Sequence, residues 1–437
     1  MTDGPRQLGR YDGVWLGARD TPVDPNAPPF GAGCDFQDGY RVVIELFYNP
    51  EDVLRFGTDT FGEHLFGQYA GAAPSVERWV DVTQYCLGGV VDRGNLTPTV
   101  EDVIDQFTFD ILDPLAQVVD WLPETSLATP AVNTPVRFGT MTETGVYSEA
   151  YNGLITRMSE SHGEGSRVVT VESFGTRSDL ATRLLDPNRG KETVQERIEW
   201  VLTEIGWAHG FDPSWPNPGT NTTDLDNDQQ FDYAVTPTAH EIITVAAHSA
   251  GYRVSINKAG QFRLLPIVGA DPGPPVLIVA DCDDGRADVE ANSFDIVADV
   301  AELLNVVQIR NLVVPQESAQ AIDLTSVGRW GRRTNGFGFP ITTQLPLNSQ
   351  NQALADSILA KTSNLVVRVA SIELNTQTDP RWWDAFDLIE IGSIIQVLRV
   401  YPVEATFNCE IIGYTFIINE NGYVEGTLHL LTTDPYL

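Results

Sequence analysis

Ser249, in Ala247-His-Ser-Ala-Gly251, has neighbours like those of a nucleophile elbow, the strained strand-to-helix turn that exposes a hydroxyl for attack. The order of elements is reversed here. Ser249 closes a helical pattern and precedes a strand, so it reads as a helix C-terminus. His240-Glu241 with His248 has the residue types of a zinc protease. That chemistry needs the second histidine four positions after the first, so that both face one metal. These two are eight apart, and each reads as a structural helical histidine. Asp224, Asp226 and Asp228 alternate as calcium-loop carboxylates do, but Gln229 stands where the sharp turn needs glycine and Val235 where a closing acid belongs. A solvated acidic loop is the reading there. Asp281-Cys-Asp-Asp284 is a run of acids near a turn, without a constellation. Trp382-Trp383 reads either as an interface anchor or as a lid over its own barrel. No catalytic, cofactor-binding or metal-ligating residue is assigned, and the expectation is a protein that is not an enzyme.

The bulk properties narrow the partners. The chain has 437 residues with 27 basic and 60 acidic side chains, a formal charge of −33. Affinity for nucleic acid comes mainly from Lys and Arg neutralising phosphates, so specific nucleic-acid binding is not expected. Docking on an anionic membrane is disfavoured for the same reason. Lysine occurs only at 191, 258 and 361, which GC-rich codon usage explains. No secretory leader is visible at the start, and no apolar run is long enough to span a bilayer, so neither secretion nor membrane insertion is expected. Cys34, Cys86, Cys282 and Cys409 are far apart and read as free, mostly buried thiols.

These residues sit on a mainly β pattern with an α+β interruption. Residues 1–75 read as an N-terminal arm: a Pro/Gly/Asp-rich start, a strand at Tyr40–Phe47, and the Phe-Gly repeat at Phe56, Phe61 and Phe66. Residues 76–190 alternate as short half-buried strands and read as a first β-barrel domain, with a hairpin loop at Ser161–Gly165. Residues 191–290 form a small α+β domain. Its first helix carries Val194, Ile198, Val201, Leu202 and Ile205 on one face and is closed by Gly206. A second follows from Thr238, with Glu241 at capping-box spacing, and then a hairpin turning at Asn257–Gly260. Residues 291–437 read as a second β-barrel domain with an inserted helix at Asn351–Lys361.

The order of short motifs resembles the minor tail proteins, or baseplate (tail) hub family, of long-tailed actinobacteriophages. The motifs are Trp79-Val-Asp-Val-Thr83 with Arg93-Gly94, the strand Phe107–Asp113, Pro135-Val-Arg137 and Gly153-Leu-Ile155. They continue with the helix and hairpin of Thr238–Leu265, Gln352-Ala-Leu-Ala-Asp356, Ile391–Val397 and the terminal hairpin Ile411–Leu430. The resemblance covers about Trp79 to Leu437. The arm, the Phe-Gly repeat and the acidic loop depart from it.

The resemblance implies two β-barrels flanking smaller domains, and a homotrimer whose six similar barrels meet a six-fold tail tube on one side and three-fold tip proteins on the other. It implies a virion protein of the tail tip, assembled in the host cytoplasm. The implied partners are the distal tail protein, the tail tube, the tape measure protein and other minor tail or receptor-binding proteins, around a channel for genome ejection. An acidic channel wall would repel passing DNA. The alternatives are a distal tail protein forming a hexameric ring, or a cell-wall-degrading or carbohydrate-binding tip protein.

Overall fold

The computed structural model describes residues 39–48, 78–94, 105–112, 134–163, 166–186, 189–225, 236–267, 274–282, 285–297, 303–312, 318–334, 341–363, 367–400, 404–419 and 422–433. The arm's Pro-rich start, the Phe-Gly repeat and Cys34 lie outside them. The described residues fall into two compact units, Met1–Asp92 with Asp105–Gly175 and Phe416–Glu425, and Arg93–Ile104 with Thr176–Thr415 and Gly426–Leu437.

The first unit is built from β1 (Tyr40–Tyr48), β2 (Arg78–Asp81), β3 (Cys86–Gly94), β4 (Gln106–Leu112), β5 (Pro135–Thr142), β6 (Tyr147–Gly163) and β7 (Ser166–Gly175). These strands are hydrogen-bonded in the order β3-β4-β7-β6-β5-β1-β2, every pair antiparallel. Period-two alternation decides which face is buried. In β4, Phe107, Phe109 and Ile111 are buried while Gln106, Thr108 and Asp110 are only partly covered. The Phe107 ring lies 4.7 Å from Phe109, 5.5 Å from Tyr151 and 5.6 Å from Phe138, so β4, β6 and β5 share one aromatic core although β7 lies between β4 and β6 in the sheet.

The second unit opens as an α+β lobe: α1 (Arg177–Thr182), β8 (Glu192–Thr193), α2 (Val194–Glu204), β9 (Asp224–Leu225), α3 (Ala239–Ser249), β10 (Tyr252–Ile256) and β11 (Phe262–Pro266). Both main helices begin with a complete capping box, Thr193 with Glu196 and Thr238 with Glu241, as the spacing at Thr238 predicts. Val194, Ile198, Val201 and Leu202 of α2 and Ile242, Ile243 and Ala246 of α3 pack with Val254, Phe262 and Leu264 of the hairpin in one core.

The rest of this unit contains β12 (Leu277–Ala280), β13 (Val289–Glu290), β14 (Ser293–Val297), β15 (Val306–Asn311), β16 (Ala319–Ile322), α4 (Leu324–Trp330), β17 (Ile341–Thr343) and α5 (Asn348–Thr362). It ends with β18 (Arg368–Asn375), α6 (Trp382–Ala385), β19 (Ile394–Arg399), β20 (Ala405–Ile418) and β21 (Val424–Thr432), of which the adjoining ends within Phe416–Glu425 belong to the first unit. The main strands are ordered β14-β18-β21-β20-β19-β12-β13. Replacing β1 to β7, in chain order, by β12, β13, β14, β18, β19, β20 and β21 turns the first strand order into this one. The chain therefore contains one strand plan twice. The second copy is interrupted by a small sheet, β16-β15-β17, on which α5 buries Ala355 and Ile358. One strand breaks the equivalence in direction: β1 is antiparallel to β5, whereas β12 is parallel to β19.

The mainly β architecture with an α+β part is as the sequence implies. Closure of the barrels is not. Among the described residues both strand orders have open ends, at β2 and at β13 and β14. A barrel needs hydrogen bonds between first and last strands, set by stagger and tilt, and strand spacing along a sequence carries no information on either.

Gly153 marks a tight point in the first copy, since a Cβ there would run into Tyr151 Oη and the Phe174 carbonyl. Gly153→Ala is expected to lower unfolding stability by about 2 kcal/mol through overpacking. Gly145→Ala, at a turn with φ 82° and open space around it, should cost about 1 kcal/mol from backbone strain alone. Urea denaturation of the full chain measures both.

Candidate functional site

Ser249 is the last residue of α3, and Tyr252 opens β10, so the chain runs from helix to strand there. Its Oγ donates to the Val245 carbonyl at 2.9 Å and accepts the Gln344 amide N–H at 2.9 Å. The hydroxyl is thus committed to holding the helix end against the chain after β17. His248 is buried, and desolvation pushes its pKa down to about 4, against a hydrogen bond with the Thr342 backbone that raises it. His240 faces Arg177, 3.1 Å from its guanidinium, so the ring nitrogen accepts. Burial first, and then this positive charge, push His240 down to about 3. The two histidines do not meet at a shared site, and neither contacts Ser249 Oγ.

The acidic candidates are dispersed. Asp224 belongs to the short pairing of β9 with β8, while Asp226, Asp228, Gln229 and Val235 lie outside the described residues. Asp281 accepts the Val400 N–H at 2.8 Å, a structural bond; Asp283 and Asp284 also lie outside. Among the described residues no group of three His, Cys, Asp or Glu could hold a metal ion. Cys86 and Cys409 are buried, Cys282 is half-buried, and all three are free thiols. Trp382 and Trp383 are both buried, and Trp382 Nε1 donates to the Glu290 carbonyl at 2.8 Å. They are core residues of the second unit and not exposed anchors. A cavity of about 550 Å³ runs beside α5, lined among others by Ser249, Tyr252, Leu354, Ser357 and Lys361, with no reactive pair in it.

What the sequence does not reveal is a buried network of charges in the second unit. Arg253 and Arg263 lie on one face of the β10–β11 hairpin, because Arg263 opposes Ser255, two residues on from Arg253. Arg253 pairs with Glu410 at 3.0 Å, both side chains almost fully buried. Arg263 pairs with Glu390 at 3.0 Å and also donates to the Ile391 carbonyl. Arg93 enters from the end of β3. It donates to Tyr414 Oη and to the Ile256 carbonyl, each at 2.8 Å, and lies 3.8 Å from Glu390. The Lys258 N–H at the hairpin turn donates to the other Glu390 oxygen at 2.7 Å. Glu390 is held by Arg93 and by the hairpin's Lys258 and Arg263, and Glu410 by Arg253, which fixes the hairpin to β20 and to the chain before β19. A pattern of arginines on one strand face is the only sequence signal, and it does not name the acids.

Two of the quoted motifs also prove to be partners. In the first unit the Arg137 guanidinium of Pro-Val-Arg lies between the Trp79 ring at 4.3 Å and the Tyr147 ring at 4.5 Å, and pairs with Glu45 at 2.5 Å. Asp81 and Thr83 of the Trp-Val-Asp-Val-Thr run end β2 locally. Thr83 Oγ1 donates to Asp81 Oδ1 at 2.6 Å and accepts the Ile44 N–H at 2.7 Å. β2 stops at Asp81, and the end of the run leads into a short 3-10 turn at Thr83–Tyr85.

Since binding in a sheet protein can be carried by strand edges, the unpaired edges are candidates too. β6 continues to Gly163 after its pairing with β5 has ended at Leu154, and β14 pairs with β18 alone among the described strands.

No protein-family model and no curated protein matches the chain. Among solved structures it is similar to the tail protein from Neisseria meningitidis MC58, with TM-score 0.56 and 15% identity over 91% of this chain and 97% of that one. It is also similar to the 43 kDa tail protein of prophage MuSo2 from Shewanella oneidensis, with TM-score 0.54 and 11% identity over 90% of this chain and 98% of that one. The likeness is one of fold, and it extends over nearly the whole of each chain.

Two outcomes test the buried groups. Glu410→Ala, which strands Arg253, should cost about 3–5 kcal/mol, while Arg253→Met with Glu410→Leu should recover most of that loss. His248 is neutral in the fold and protonates near pH 6.5 when unfolded. Its contribution is therefore complete above that pH and is lost as acid approaches its folded value of about 4. The loss by pH 4 is about 3 kcal/mol. Replacing it by a neutral amide, His248→Gln, should flatten the acid limb of stability by about 2 kcal/mol between pH 7 and pH 4.5, read from urea midpoints at those two values.

Proposed function

We propose that this chain is a structural subunit of a phage tail, and specifically a hub of the tail tip that joins the tail tube to the tip and its receptor-binding parts. One observation carries the reading: a strand plan present twice within a chain whose fold matches two tail proteins from end to end. Two similar sheets per chain, in three chains, give six similar sheets. Such a ring can meet six-fold partners through the repeated sheets and three-fold partners through the lobes present once per chain. On this reading the chain is a homotrimer with the distal tail protein and tail tube as neighbours on one side, around a central path for the tape measure protein and the genome.

On this reading the role is mechanical, and Ser249, tied to Val245 and Gln344, serves as a structural hydroxyl. The charge of −33 suits a surface over which DNA passes without sticking. The protein belongs, on this reading, at the tail tip of the virion after assembly in the host cytoplasm. A distal tail protein, the nearest alternative, would carry one such sheet with a lectin-like sandwich, and the duplicated strand order favours the hub.

The expected result is three copies per assembled ring, by native mass measurement or a symmetry-resolved image of the tip. Zymography on cell walls should show no clearing zone. A chain that stays monomeric and never enters virions would remove the reading.

A further inference from the structure

The two copies of the strand plan differ in how their long hairpins end. In the second copy β20 outruns β19: their pairing begins at Ile394↔Glu410, and β20 continues eight residues further, to Ile418. On the side that β19 has left, β20 is flanked by β3. The approach is close. A Cβ on Gly88 would stand 2.9 Å from the Ile418 carbonyl oxygen, and one on Gly94 would run into the Ile412 carbonyl. Gly88 near 418 and Gly94 near 412 mean that the two strands run antiparallel.

In the first copy β6 outruns β5 in the same way. Their pairing ends at Pro135↔Leu154, and β6 continues nine residues further, to Gly163, with β7 beside it throughout. A register shift between Ile155 and Arg157 re-aims the strand where it leaves β5. On the side that β5 has left, no described strand lies along this overhang. The strand that corresponds to β3 in the second copy is β14. The match holds at the level of pairs, since Asp92 faces Gln106, the first residue of β4, and Val297 faces Arg368, the first residue of β18. One side of β14 is bonded to β18, and no described strand lies on the other.

The overhang of the second copy thus has its acceptor strand within the chain, while the overhang of the first copy and the acceptor of the second are both left over. We infer that they complete each other between molecules: the far half of β6 in one copy adds as an antiparallel strand to β14 of the next copy. The occupant is a second copy of this chain because the junction it makes repeats the β20–β3 junction already formed inside each chain. The two surfaces are different, so the contact is head-to-tail, and such contacts close into rings when the rotation allows. Backbone hydrogen bonds supply the contact, and register comes from alternate side chains. This deepens the assembly part of the proposed function and rests on it.

The test uses the full chain with Ser161→Cys on β6 or Ser293→Cys on β14, two exposed positions. Adjacent antiparallel strands bring such residues within disulfide reach. On mild oxidation, a mixture of the two single variants should yield a band at twice the 48.0 kDa chain mass that neither variant nor the unsubstituted chain gives alone. A chain with both substitutions should yield a covalent ring of the native copy number. If light scattering shows oligomers but the mixture does not cross-link, the strand pairing is wrong and the assembly reading stands. Thiol loss at monomer mass in the double variant would mean that the chain covers its own β14, which also overturns the pairing. A chain that is monomeric at every concentration would remove both.

Discussion

A β-strand that leaves its neighbour exposes a row of amide and carbonyl groups, and those groups must be satisfied by another strand or by water. Much of this protein is organised by that constraint. β6 and β20 are longer than the strands beside them, and each overhang asks for a second sheet to lie against. Inside the chain β20 finds β3, with glycines at 88 and 94 where the backbones come closest. Duplication of the strand plan then poses the same demand a second time, at β6, where the chain itself provides no described answer.

The inserted lobes are held by a different kind of interaction. The β10–β11 hairpin is fixed by arginines at 93, 253 and 263 to carboxylates at 390 and 410, with most of these side chains withdrawn from water. Buried pairs of this sort contribute little net stability compared with apolar packing, but they tolerate only one arrangement, because a displaced partner leaves a bare charge. The histidines at 240 and 248 obey the same economy of burial: both are kept neutral by their surroundings.

The residues with the most suggestive chemistry in the sequence turn out to be structural. Ser249 ends a helix, Asp281 anchors a backbone amide, and Trp382 and Trp383 fill a core. Backbone edges and the repetition of a strand plan have no residue signature. The resemblance implies two similar barrels per chain, but the strand-by-strand duplication cannot be read from the residues, because one strand plan can be filled by many sequences that alternate apolar and polar positions. β4 reads Gln-Phe-Thr-Phe-Asp-Ile-Leu and its counterpart β18 reads Arg-Val-Ala-Ser-Ile-Glu-Leu-Asn.

Local order was legible from the sequence alone. Period-two alternation identified β4 and β5, a stripe of Val194, Ile198, Val201 and Leu202 identified α2, and Thr238 with Glu241 identified the start of α3. Each of these is set by neighbours within a few residues, through side-chain periodicity and capping. The acidic charge was equally plain. Only the tertiary structure decided that the sheets are open, that one strand order occurs twice, that Arg137 meets Trp79, and that Arg253 meets Glu410 across 157 residues. Pairings at that separation depend on which strands lie side by side. Many registers satisfy the same alternation, and packing of the whole chain selects among them.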